Sequence, residues 1–303
     1  MYRIGVIASD IRRDWASMRL LEAAAELAHG ALVDPISFEV RAEKVPSVRI
    51  RGEPADTYDA YIVRGFNRQG EIDYQYDVFE LLEQLGKVVV NSPAGLSLAE
   101  SKALTTYFLQ KEGFPVPRTL VTQELEVAAA AVREFGTAVV KPLYGSHGIG
   151  IERVGSETDG ELLPALLDRH GAVYVQEYVP NEGRDIRAFV VGDDIPAAVY
   201  RIARDGQWKT NVSQGGICEA CELSPVLREL CVEAARLIGL DYTGVDVMEG
   251  PDGPMILELN GAPSWYGLSN ATDRNIAADV VNHVLRVLDT GQSARQPTGF
   301  RYR

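Results

Sequence analysis

Short apolar runs of strand length recur along this chain, separated by stretches of helical periodicity. That alternation confines it to the α/β class, and residues 1–95 carry it most plainly. The opening Met1–Ile7 reads as a strand, and a helical pattern follows through Met18, Leu20, Leu21, Ala24, Ala25 and Leu27, with Gly30 as its stop. Asp59–Val63 reads as a second strand running into Arg64-Gly65, and Lys87–Asn91 as a third, halted by Ser92-Pro93. Short buried strands joined by helices describe a small parallel-sheet domain. Ser97-Leu98-Ala99-Glu100 fits a capping box at the start of the next helix, which Gly113, Pro115 and Pro117 end. A second unit over 96–180 reads strand, helix (Glu124–Phe135), strand (Thr137–Pro142), glycine loop, helix and strand (Ala172–Val179). A third over 181–290 holds extended segments, a helix at Pro225–Gly239, two more strands and a last helix near Ile276–Leu288. The tail over 291–303 is polar, either frayed or packed locally.

Composition narrows the function. With 46% hydrophobic and 24% charged residues in 303, the chain suits a soluble globular protein. No apolar run approaches the ~18 residues of a membrane helix. Thirty basic against 43 acidic residues leave a net charge of −13, which argues against nucleic acid or an anionic membrane as partner. Three cysteines cannot all pair, which fits a reducing compartment, the cytoplasm. Cys218 and Cys221 read as reduced thiols, since one Cys-x-x-Cys pair makes a poor zinc site, and Cys231 reads as core.

The sharpest local signal lies near the C-terminal end. Thr243–Met248 and Met255–Asn260 are strand-like arms around Gly250-Pro251-Asp252-Gly253-Pro254, a dense set of turn formers. With the turn centred on Asp252, Asp246 faces Glu258 across the two strands, and Asn260 shares the face of Glu258. Two opposed carboxylates repel each other until a divalent cation sits between them, and an all-oxygen set suits Mg²⁺. The plainer reading is the solvated edge of a surface hairpin. Val139–Pro142 with the loop Leu143–Gly150 supplies a second signal. A buried strand ends in Lys141, and Gly145, Gly148 and Gly150 free backbone amides to approach an anion. It is neither a Walker A loop nor a dinucleotide fingerprint. His147 reads as a polar or solvent-exposed loop residue.

Tyr174–Pro180 is an extended apolar stretch that reads as a core strand able to offer backbone groups to a purine edge. Asp185 and Arg187 share one strand face, and Arg201, Lys209, Thr210 and Asn211 follow. In an acidic protein, arginines and a lysine converging near an acidic hairpin suit an anionic substrate, whereas salt bridges on a solvated sheet face are the plainer reading of each.

Taken in order, these motifs resemble the ATP-grasp superfamily, and within it the RimK-like glutamate ligases. The resemblance runs from Ser92 to Leu288. It rests on Lys102, on Lys141 with its glycine loop, on Gln176-Glu177-Tyr178, Asp185-Ile186-Arg187 and Gly244-Val245-Asp246, and on Glu258-Leu259-Asn260-Gly261-Ala262-Pro263. It implies an ATP-grasp fold behind an N-terminal parallel-sheet domain, with ATP between two α+β lobes. Lys102 and Lys141 would then touch the phosphates, under a loop comprising Gly145, Ser146, His147, Gly148 and Gly150. Glu177, Tyr178 and Val179 would present the adenine hinge and Asp185 would meet the ribose, with Lys209, Thr210 and Asn211 beside the nucleotide. Asp246, Glu258 and Asn260 would hold Mg²⁺ (or Mn²⁺) as a pair of ions. Arg187 and Arg201 would stabilise an acyl phosphate and the adduct formed when an amine attacks it.

The chain departs from the RimK pattern at Asn211–Gly216, which lacks a basic residue before Gly215-Gly216, and at Pro263-Ser264-Trp265-Tyr266-Gly267. Loss of a cation and gain of two aromatics suit a ring-bearing acceptor stacked on Trp265 or Tyr266, with Arg64 nearby; capping of the core by these rings is the equal alternative. The expected partners are ATP, L-glutamate and a pterin- or furan-type coenzyme, with homo-oligomerisation left open. Ligation of another amino acid or of a protein C-terminus, or ATP binding without chemistry, are the rivals.

Overall fold

The computed structural model describes residues 1–12, 14–143, 150–155, 159–204, 207–210 and 215–299. Its N-terminal sheet is parallel, in the order His29–Val33, Arg3–Ile7, Ala60–Val63, Val88–Val90. Ile4, Val6, Ile62 and Val90 are fully buried, as expected for strands covered on both faces. The strand His29–Val33 was not foreseen, because Gly30 reads as a helix stop. The helix Trp15–Leu27 ends without it, and Gly30 lies inside the strand, where a Cβ would stand 2.7 Å from Ala24. The glycine serves close helix–strand packing. A three-stranded antiparallel ribbon, Phe38–Arg41, Ser47–Ile50 and Glu53–Pro54, also went unread.

Ser97 and Glu100 form no capping box. The helix Pro93–Glu100 is capped by Ser92, whose side chain accepts from the Gly95 N–H, with proline at its first turn. A second helix, Lys102–Lys111, starts at once from Ser101, which accepts from the Leu104 N–H. This break places Lys102 at a helix start.

The central sheet is antiparallel, in the order Glu152–Gly155, Thr137–Lys141, Val173–Glu177, Thr119–Thr122. Helices Leu125–Phe135 and Asp159–His170 share a core with it through Ala128, Val132, Leu163, Val140 and Val175. The C-terminal sheet has five antiparallel strands, in the order Ile217–Ala220, Asp194–Ile202, Arg184–Val191, Tyr242–Gly250, Gly253–Asn260. Ile186, Ala188 and Val190 pack one face of this sheet on the helix Pro225–Ile238. The opposite face is divided: Phe189 and Val191 join the core of the N-terminal sheet, while Asp185 and Arg187 carry charge toward the cleft.

Two features fasten the N-terminal sheet to the C-terminal one. The helix Ile276–Thr290 packs against Trp15–Leu27, so Leu20, Ala24, Val281 and Val284 share a core with Phe189 and Tyr242. Each such fully buried leucine or valine contributes about 1.5–3 kcal/mol. Asn91, fully buried, accepts from the Asp241 and Tyr242 N–H groups at 2.7 and 3.0 Å and donates to the Tyr242 and Gly261 carbonyls at 2.8 and 2.6 Å. The tail is packed over its described residues: Ala294 is buried and the Thr298 N–H donates to the Leu237 carbonyl.

Candidate active site

The acidic hairpin closes on a two-residue turn, Pro251-Asp252, with Gly250 opposite Gly253 and Val247 opposite Ile256. The register then slips by one, leaving Leu257 without a partner, and Asp246 faces Glu258 with Gly244 facing Asn260. The expected pair therefore forms, but through a turn centred half a residue earlier than Asp252 and a compensating bulge.

The strand Arg184–Val191 runs beside this pair and sets Arg187 against Asp246, while Asp185 lies opposite Arg201. Arg187 grips Asp246 through both Nε and Nη2, the latter at 2.9 Å. Arg201 reaches Asp246 Oδ2 at 2.9 Å and holds Asp185 with Nε at 2.8 Å and a second bond from Nη2. All but Arg187 are buried, and Arg187 is partly so. Burial pushes the Asp246 carboxyl up, but the two guanidinium groups override it and hold it below the usual carboxylate range. Burial pulls Arg201 down, and Asp246 and Asp185 more than restore it, so it stays charged. Repulsion between two opposed acids is thus not what this site presents. Asp246 is already neutralised by arginines, and Asp185, expected at a ribose, has both oxygens on Arg201.

Glu258 remains half-buried, and its carboxylate has no hydrogen-bond or ion-pair partner among the described residues. Asn260 donates to the Gly244 carbonyl at 3.4 Å, which leaves its side-chain oxygen open. Among the described residues no group of three or more His, Cys, Asp or Glu is so placed that it alone could hold a metal ion. The donors the hairpin register sets near one another, the Asp246 and Glu258 carboxylates with the Asn260 amide two residues on, are hard oxygens of the kind that suit Mg²⁺ or Mn²⁺ shared with phosphate.

The facing wall comes from the central sheet. Lys141 ends the strand Thr137–Lys141, is 9% exposed, and donates to Gln176 Oε1 at 2.8 Å. Burial drives its ammonium below the usual lysine range; Glu258 and Asp246 oppose that, and Lys102 adds to it. Lys102 donates to the Leu143 carbonyl at 3.4 Å, where the glycine loop begins. Gly145, Ser146, His147 and Gly148 lie outside the described residues, as does Asn211. Gly150 is described, with φ +74°, a conformation that favours glycine. The Glu177 carboxylate is clamped by Arg118 at 2.9 and 2.8 Å, which holds it below its ordinary range. The Glu177 N–H also donates to the Arg118 carbonyl, at 2.8 Å.

These walls enclose a cleft of about 100 Å³, open to solvent at its mouth. Lys141, Glu177, Tyr178, Val179, Asp185, Arg201, Lys209, Thr210, Asp246 and Glu258 all line it. Arg187 abuts it through Asp246, and Lys102 lies close enough to Lys141 to act on its charge. The sequence reading did not single out Val139, Ile151, Met248 and Leu257, which make the cleft partly apolar, nor Trp208 at its rim. Strand alternation marks Val139 and Leu257 as facing one side, but does not say whether that side is core or cleft. Arg153 lies 5.4 Å from the Tyr178 ring and 5.9 Å from that of Trp208.

Arg64, Trp265 and Tyr266 meet elsewhere, and none of them lines this cleft. Arg64 donates to the Pro263 carbonyl at 2.9 Å and stands 5.2 Å over the Trp265 ring. Trp265 is 2% exposed and packs edge-on against Phe189 and Trp15, so its ring caps the core and has no open face for a ligand to stack on. Tyr266 is exposed, against Trp15.

Residues 99–284 match the model of the RimK-like ATP-grasp domain. The tetrahydromethanopterin:alpha-L-glutamate ligase of Methanosarcina acetivorans is 33% identical, over 95% of this chain and all of its own length. The enzyme of the same name from Methanocaldococcus jannaschii is 38% identical over 76% of this chain and 80% of its own. Among solved structures, the ATP-grasp ligase PsnB complexed with minimal precursor, Mg and ADP superposes with a TM-score of 0.77 at 22% identity, covering 94% of this chain and 97% of that one. Two antiparallel sheets facing across a lysine- and acid-lined cleft agree with that likeness, and the chain belongs to the RimK-like ATP-grasp family of ligases.

Proposed function

We propose that this enzyme joins L-glutamate to a pterin-type coenzyme through an amide bond, with ATP converted to ADP and phosphate. The observation that carries the reading is the single cleft in which Lys141, Glu258 and the Asp246–Arg201–Asp185 array face one another. The relatives' names support the glutamate and pterin assignments.

In this reading the chain divides into an N-terminal domain over 1–95, a central lobe over 96–180, a C-terminal lobe over 181–290 and a tail. The apolar slot with the Glu177–Val179 backbone receives adenine. Lys141 and Lys102 neutralise phosphate charge, with Lys209 and Thr210 beside the nucleotide. Glu258, Asn260 and Asp246 would hold Mg²⁺, which when bound offsets charge on the transferred phosphoryl group. A carboxylate oxygen attacks the γ-phosphorus, the bond to ADP breaks, and an acyl phosphate forms. The amine then adds to its carbonyl, phosphate leaves, and the amine proton passes to solvent or phosphate. Arg187 and Arg201, held by Asp246 and Asp185, would stabilise the negative charge that grows on these oxygens.

The test is incubation of purified protein with ATP, Mg²⁺, L-glutamate and a reduced pterin coenzyme, reading ADP release and product mass. The expected result is ADP release that needs both substrates, and a coenzyme heavier by one glutamyl residue. Equal ADP release with other amino acids in place of glutamate would overturn the glutamate assignment; none with any acceptor would overturn the ligase reading.

A further inference from the structure

Lys141 is withdrawn from water, and among the described residues Gln176 is its one hydrogen-bond partner. Gln176 is itself 2% exposed, and its amide can sit only one way round. An ammonium only donates, so Oε1 must face Lys141. At the other end, the Thr119 hydroxyl donates to the Pro117 carbonyl at 2.9 Å, so it receives from Gln176 Nε2 at 3.3 Å. The second Nε2 hydrogen goes to the Tyr174 hydroxyl at 3.0 Å. The Tyr174 hydroxyl in turn shares a hydrogen bond with Thr106 Oγ1, at 2.7 Å. The chain Lys141, Gln176, Tyr174, Thr106 is thus continuous, and the lysine's charge sets the direction of its first two bonds.

Thr106 belongs to the helix Lys102–Lys111. The relay therefore starts at a lysine of the cleft and ends on the helix that begins with Lys102, which lies close enough to act on that lysine's charge. Tyr174 is 1% exposed, with Lys141 Nζ 5.5 Å from its ring centre, so the ring backs the ammonium while the hydroxyl passes the bond on. With one N–H on Gln176, the ammonium keeps two for the cleft.

We propose that Gln176 and Tyr174 are positioning residues for phosphate binding, holding the Lys141 ammonium in register with the Lys102 helix. This rests on the reading of the cleft as the nucleotide site. It predicts an effect on nucleotide affinity from side chains that touch no nucleotide.

The test is titration of a fluorescent ADP analogue without glutamate or acceptor, beside steady-state kinetics. Tyr174→Phe removes one oxygen and should weaken nucleotide binding roughly fivefold, the scale of one lost hydrogen bond. The KM for ATP should rise in step, with kcat and the KM for glutamate nearly unchanged. Thr106→Val, which breaks the relay from its far end, should move the same quantities in the same direction. In a Lys141→Ala background, Tyr174→Phe should add nothing, because the group it positions is gone. Unaltered nucleotide affinity in both single variants would overturn the proposal, as would a Tyr174→Phe effect that persists undiminished without Lys141. The binding arm needs no turnover, so a wrong glutamate or acceptor assignment leaves it intact. Wild-type protein that fails to bind the analogue sinks the cleft reading itself.

Discussion

Asp246 sits between two guanidinium groups, and removing its charge disturbs both. Asp246→Asn would leave Arg187 without an anion and Arg201 with Asp185 alone. Breaking a buried pair in this way costs about 3–5 kcal/mol. Turnover should fall roughly 10²–10³-fold, the scale seen when one transition-state contact is lost. Chemical denaturation and ADP release measure the two losses separately; normal turnover would show that Asp246 has no part in the reaction. The depressed carboxyl also sets a pH sign: its stabilisation is present above the ordinary aspartate pKa and lost as pH falls through the lower folded value. Turn formers and period-two alternation made the Asp246–Glu258 and Asp185–Arg187 relations legible in the sequence. The arginine clamp was not legible, because it depends on which strand lies beside the hairpin. Nor was the burial of Trp265, since an aromatic at a loop reads alike whether a core or a ligand covers it.

Glycine misled at the scale of elements. After an apolar helical run, Gly30 has the position of a helix stop, yet it stands in a parallel strand against Ala24. The contact is with helix backbone and a methyl group, neither of which swings aside. Gly30→Ala should therefore destabilise the protein by about 1–3 kcal/mol, the usual penalty of overpacking, seen as a lowered Tm. A Tm equal to that of the unaltered protein would mean that helix and strand can part cheaply. The strands Arg3–Ile7, Ala60–Val63, Val88–Val90, Thr137–Lys141, Val173–Glu177, Tyr242–Gly250 and Gly253–Asn260 and the helices Leu125–Phe135, Pro225–Ile238 and Ile276–Thr290 were readable to within two residues, because apolar periodicity survives any tertiary context, whereas the helix Ile72–Gln84 went unread. The Phe38–Pro54 ribbon was not, because its strands are short and only partly covered.

At the scale of the whole molecule, the tail reaches back to the N-terminal domain. Gln296 donates to Glu83 Oε1 at 2.9 Å, and burial raises the Glu83 carboxyl to about 6, against the pull of that bond. A raised acid favours the neutral folded form. Its stabilisation is complete below the ordinary glutamate pKa and fades as pH rises through about 6. Unfolding free energies of the unaltered protein and Glu83→Gln, compared at pH 5 and pH 7, should diverge toward neutral pH in favour of the variant. Parallel curves would show Glu83 to be solvated. Nothing in the sequence relates Glu83 to Gln296, since such contacts between distant segments follow from closure of the fold.

The unpaired Leu257 gives the acidic hairpin two independent halves. From Val247 outward, the tip keeps time with its own two-residue turn; from Asp246 inward, the base is one step out of phase with it. Residues 249–254 can accordingly be rebuilt, lengthened or exchanged without moving either acid, whereas a single deletion in the return arm would swing Glu258 to the far side of the sheet. Variation among related chains should therefore gather at the tip and stop abruptly at the bulge.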